Sequence, residues 1–299
     1  MKPIRRGLLS GVVAAILLLA LPPATSWAAF PGANGLIAYS TGEIFTISPA
    51  GGDPTRLTDN AIDDAQPSWS ADGRRLAFIR GDVYYGPTDV WTMRADGTHQ
   101  RQVTHGGAYE SSPSFSPGGG RIVMARNGRI VKIRTDGTES VRLTSGWAAR
   151  DPVFSPGGKR IVFAGAPREE RERGIWVMRR DGTHKRLLAA EGGDYMHPDF
   201  DPDGSHIVFH SLSNCISHTC DDLVILMRSD GRRKRVISDT AKEPVFSPNG
   251  HRIAAAWVSC DALKMTCKSK LVSFDRDGTD GRVVTDSIRS PSWQPIPQP

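Results

Sequence analysis

Six residues stand immediately before a proline at matching points along the 299-residue chain: Gln66, Ser112, Asp151, His197, Glu243 and Ser290. Their side chains are the ones in this sequence best placed to do chemistry together. Asp151, His197 and Glu243 are consecutive members of the series. Two carboxylates, an imidazole and the amide oxygen of Gln66 could together hold a hard or borderline divalent cation. The same groups could instead hydrogen-bond neighbouring units and water, and the sequence favours that use. Tyr195 and Met196, beside His197, would give a ligand an apolar wall or simply pack. Other catalytic signatures are absent. The chain has no Gly-x-Ser-x-Gly elbow, no His-Glu-x-x-His pair and no glycine loop followed by Lys-Ser/Thr.

A second candidate group is the four cysteines, which fall in two close pairs, Cys215 with Cys220 and Cys260 with Cys267. Both pairs occupy the same place in their repeats. In an exported chain, local pairs of this kind read as disulfides pinning long loops, each stabilising by at most about 2–3 kcal/mol. The competing use, a metal site built from Cys215, His218 and Cys220, is the weaker reading in an oxidising compartment.

The elements that position these residues follow from a repeat. Pro67-Ser68-Trp69-Ser70-Ala71-Asp72-Gly73 runs into the apolar Leu76-Ala77-Phe78. Related segments begin at Pro113, Pro152, Pro198 and Pro244, and a half-copy begins at Pro291. The steps are 46, 39, 46, 46 and 47 residues, the length needed by one four-stranded propeller blade. Each unit carries a second hairpin signal, an apolar strand ending in Asp-Gly (Gly51-Gly52 in the first unit), where glycine accepts a positive φ. The predicted fold is therefore all-β: a six-bladed β-propeller of four-stranded blades. The first unit lacks its first strand, and the half-copy Pro291–Pro295 can supply it, closing the ring and removing open sheet edges.

Strand alternation assigns the turns to faces. The first–second and third–fourth turns share one face and are monotonous. The second–third loops share the other with the blade-to-blade connections, and they vary: 81–88, 164–173, 211–222 and 258–270. Variable loops on a rigid scaffold suggest a binding surface. The six residues preceding proline enter the innermost strands from that same face and should ring the mouth of the central channel.

The first 28 residues read as a signal peptide, with basic Lys2, Arg5 and Arg6, the 14-residue apolar run Leu8–Leu21, and small residues before a cleavage point after Ala28. Export by the general secretory route or the twin-arginine route is left open. An extracellular, periplasmic or envelope-associated location is expected, with residues 29–299 forming one domain and no membrane span after cleavage. Loss of the signal leaves 35 Lys and Arg against 32 Asp and Glu. No basic cluster is combined with stacking aromatics, so no nucleic-acid partner is expected. Arg232–Arg235 reads as a solvated edge strand, and the charge run 169–173 as exposed surface.

The recurring Pro-x-[Trp/Phe]-Ser-Pro-Asp-Gly pattern, followed by [Ile/Leu]-[Ala/Val]-Phe, resembles the TolB-like propeller family over residues 35–295. The resemblance implies the propeller fold. It does not name an activity, since propellers host many functions. The family's namesake carries an additional N-terminal α/β domain, for which residues before Gly35 leave no counterpart. Propellers of this type also gate prolyl oligopeptidases, which need a separate hydrolase domain. Metal-dependent polysaccharide lyases built on propellers hold an ion near the channel. The expected function is thus a monomeric protein-binding platform docking a protein partner on its loop face, without chemistry of its own. The alternative is a metal-dependent enzyme acting on a sugar polymer or small ester, with its divalent cation held by Asp151, His197 and Glu243.

Overall fold

In the computed structural model, residues 30–83, 86–170, 173–190, 193–216, 219–261, 266–286 and 289–297 are described. They form six four-stranded antiparallel sheets arranged as a propeller. The innermost strands of blades 1 to 6 are Arg289–Ile296, Asp64–Trp69, Glu110–Phe115, Trp147–Phe154, Gly193–Phe200 and Ala241–Phe246. Blade 1 is completed by residues 33–56, because Arg289–Ile296 pairs with Ala33–Ser40. The ring closes as the half-repeat requires, with both ends of the described chain held in one sheet.

The core lies between blades rather than at one centre. The second strand of each blade is an unbroken apolar run, such as Leu76, Ala77, Phe78 and Ile79, because both of its faces are covered by neighbours. The repeat aromatic two residues after each proline packs into the blade before it. Phe200 of blade 5 meets Val162 and Ile175 of blade 4. Trp293 of blade 1 meets Ala254 and Leu271 of blade 6. The Asp-Gly hairpins need glycine for the same packing. A Cβ on Gly278, at φ +94°, would lie 2.2 Å from the carbonyl oxygen of Ile237 in the preceding blade, and one on Gly97, at φ +82°, 2.6 Å from that of Leu57.

Two expected loops are largely strand. In blade 5 the second and third strands run His206–Ile216 and Thr219–Arg228. In blade 6 they run Arg252–Asp261 and Thr266–Asp275, with paired register out to Asp261↔Thr266. The described parts of 211–222 and 258–270 are therefore long hairpin arms, in which the backbone ladder continues outward. The register sets Cys260 opposite Cys267. The side chains of all four cysteines lie outside the described residues, as do His218 and the whole of residues 1–29.

Candidate functional site

The repeat proline sits on the innermost strand of each blade, whose free edge faces the channel, the one sheet position where a missing N–H is harmless. The residue before it breaks the ladder. Gln66, Ser112, Asp151, His197, Glu243 and Ser290 all have φ between +49° and +53°, and all six inner strands shift register at that point against their blade's second strand. A left-handed backbone in a non-glycine residue is strained. All six residues line a channel cavity of about 180 Å³. The prolines, Val153, Val245, Phe246 and the two tryptophans Trp69 and Trp293 form its wall.

The ring is stitched in pairs. The Gln66 side-chain oxygen accepts from the Ser112 N–H at 2.6 Å. Asp151 accepts from the His197 N–H at 3.1 Å, and Glu243 accepts from the Ser290 N–H. Blades 2, 4 and 6 thus supply long acceptors, and blades 3, 5 and 1 supply the N–H exposed by the bulge. Ser112 Oγ adds a 2.7 Å bond to the second oxygen of Asp151, linking blades 3 and 4.

Asp151 is 8% exposed. Burial pushes its pKa up, but the nearby His197, the Ser112 hydroxyl, the His197 N–H and Arg150 together hold the carboxyl below the ordinary range. His197 Nε2 lies 4.0 Å from Asp151. Its ring stacks on His210 with centroids 6.3 Å apart, and neither imidazole Nδ1 has a hydrogen-bond partner among the described residues. His210 Nε2 lies 2.9 Å from Asp222, which also pairs with Lys242 at 2.9 Å. Burial lowers the pKa of His210. Tyr195 is buried with its ring edge-on to Phe209, so it packs rather than facing a ligand.

The proposed cation ligands are therefore brought to one mouth but not into one shell. Asp151 and His197 approach each other, while the Glu243 carboxylate is engaged with blade 1. Among the described residues no group of three or more His, Cys, Asp or Glu side chains could hold a metal ion. Gln66 is likewise committed to Ser112.

Two features escaped the sequence reading. Asp199 lines the channel. Its carboxylate accepts from the Phe246 N–H of blade 6 at 2.9 Å, and burial raises its pKa to about 7, with Asp201 adding to the rise. Its signal was present: the equivalent positions are Ser68, Ser114, Val153, Val245 and Ser292, so a carboxylate is out of pattern. Asp201, which stands where the repeat has serine, is fully buried. It accepts from the His206 N–H at 2.9 Å and pairs with Arg276 of blade 6 at 2.7 Å.

Against proteins of known family, residues 33–190 match the TolB beta propeller domain. A Tol-Pal system protein TolB from Francisella tularensis is 31% identical over 210 residues, covering 67% of this chain and 46% of that protein. Tol-Pal system protein TolB 1 of Novosphingobium aromaticivorans is 36% identical over 74 residues, 25% of this chain and 16% of its own. The crystal structure of TolB from Acinetobacter baumannii superposes with a TM-score of 0.73 at 17% identity, covering 87% of this chain and 67% of that one. The chain spans less than half the length of these curated relatives.

Proposed function

The chain belongs to the TolB beta propeller family, and from that premise we propose that it is an exported protein-binding platform whose partner docks over the channel mouth on the looped face. One observation carries the reading. The mouth opens a preformed, largely apolar-walled cavity whose polar rim is already occupied in holding the blades together. Such a cavity offers shape and apolar area to a partner without requiring its rim to reorganise. Ile62 and Tyr109, on blade-to-blade connections of the same face, are 52% and 43% exposed and add apolar contacts outside the mouth. The names of the relatives make a protein of a Tol-Pal system the first partner class to test. Export rests on the signal-like character of residues 1–28, and the disulfide pairing of the hairpin arms on the register that opposes Cys260 and Cys267.

The enzyme alternative requires Glu243 to leave Ser290 and join Asp151 and His197, which gives up the inter-blade bond between blades 6 and 1. The test is site-specific photo-cross-linking in the native host. Probes replacing Ile62 or Tyr109 should capture one discrete partner, whereas a probe replacing Arg74 on the opposite face should not. Equal capture from both faces, or none from the looped face, would overturn the docking assignment.

A further inference from the structure

The turn face differs sharply among blades. In each of blades 2 to 6 the residue two after the Asp-Gly hairpin's glycine is left-handed: His99, Glu139, His184, Arg233 and Asp280, with φ between +48° and +56°. In blades 3 and 6 that residue is acidic and neutralises arginines. Glu139 pairs with Arg121 at 2.6 Å and with Arg134 at 3.1 Å. Asp280 pairs with Arg252 at 2.9 Å and with Arg282 at 2.6 Å. In blades 4 and 5 the same position holds His184 and Arg233, and the neutralising carboxylate is gone.

The consequence is a concentrated basic surface. Residues 179–186 and 228–235 contain nine Lys and Arg against two Asp. Arg179, Arg180, Arg232 and Arg233 are exposed and form no ion pair among the described residues. The two hairpins adjoin, since Arg186 donates to the Asp230 carbonyl at 3.2 Å. Leu187 and Val236, the next residues along the outer strands, are 42% and 54% exposed. The patch is a spread of charge with apolar points at its edge.

We propose that the turn face of blades 4 and 5 is an adhesion surface for an anionic phospholipid membrane. Exposed guanidinium groups in excess over the two hairpin carboxylates Asp181 and Asp230 are attracted to lipid phosphates, and the flanking aliphatics meet the interface. Seated this way, the propeller presents its looped face away from the lipid, free for a protein partner. The assignment does not depend on what docks at the channel.

The test is flotation of the exported protein with vesicles of phosphatidylcholine alone and of phosphatidylcholine with phosphatidylglycerol, at low and physiological salt. Binding should require the anionic lipid and weaken with salt. The double variant Arg180→Glu/Arg233→Glu should lose at least about tenfold in partitioning. The double variant Arg74→Glu/Arg94→Glu changes net charge equally on blade 2 of the same face and should lose far less. Melting curves of both variants should match the parent, which separates lost binding from lost folding. Failure of the parent protein to bind anionic vesicles would overturn the proposal. So would equal losses from the two variants, or retention of a soluble anionic polymer such as DNA where anionic vesicles are not bound.

Discussion

The two ends of the channel use polar side chains in opposite ways. At the looped face the mouth residues are paired across blades: Gln66 to Ser112, Asp151 to His197, Glu243 to Ser290. At the turn face of blades 4 and 5, Arg179, Arg180, Arg232 and Arg233 are exposed and form no ion pair among the described residues, whereas Glu139 and Asp280 neutralise arginines on blades 3 and 6. A concave ring of Asp, His and Glu resembles catalytic chemistry, yet here it does the work of a clamp. A convex set of arginines resembles ordinary solubility, yet blades 3 and 6 neutralise the arginines of their own hairpins. Residue type alone misassigns both; the hydrogen-bond partner of each group assigns them.

The largest perturbation removes the strand that closes the ring. Deleting residues 291–299 takes most of the innermost strand of blade 1, including the buried Trp293. We expect loss of the cooperative melting transition followed by near-ultraviolet circular dichroism. A truncated protein melting like the parent would refute ring closure by strand exchange.

Asp201→Ala should come next. It strips Arg276 and the His206 N–H of their acceptor, and Arg276 is partly solvated, so the cost is about 2–3 kcal/mol. For a chain of this size the melting temperature should fall by roughly 4–10 °C. Asp201→Asn, which keeps an acceptor for the His206 N–H, should lose less.

The channel wall gives a pH-dependent effect of known sign. Asp199 holds its proton to about pH 7 in the folded protein but releases it near pH 4 when unfolded. Across that window the folded state binds more protons, so this residue's contribution to stability declines as pH rises from about 4 to about 7, then levels. Asp199→Asn keeps an acceptor for Phe246 and cannot ionise. It should match the parent near pH 4 and exceed it by about 1–3 kcal/mol at pH 7.5 in urea titrations. A constant difference across pH would show that Asp199 does not titrate in the channel.

The smallest effect should come from His197→Ala, at below about 1 kcal/mol. The stitch to Asp151 uses the backbone N–H, and the imidazole Nδ1 has no partner among the described residues. A larger loss would place the imidazole itself in the clamp.

The fold was legible because six prolines recur in step with an aromatic two residues later, and the half-repeat at Pro291 announced the closure. The ring was legible as a place, since the residue before each proline could be counted to the channel mouth. Its chemistry was not. The left-handed φ at Gln66 or Glu243 directs a backbone N–H across to the next blade, and nothing in a one-letter string distinguishes that bond from a metal ligand. Asp199 was hidden because single-residue departures inside a repeat read as drift. The hairpin arms of blades 5 and 6 were mistaken for loops because strand continuation past Ser211 and Val258 is set by pairing between the arms.

The central claim is that the channel-mouth ring holds the blades together. It is tested most directly by urea unfolding of Gln66→Ala, Asp151→Ala and Glu243→Ala, singly and combined. The account predicts losses of about 1–3 kcal/mol each, Asp151 costing most because it serves two donors; the Glu243 loss should add to either of the others within error, while Gln66 and Asp151 couple through their shared partner Ser112. Residues retained for catalysis at the expense of stability behave oppositely. Unchanged or increased stability in the Asp151 and Glu243 variants would contradict the clamp and return the ring to the list of active sites.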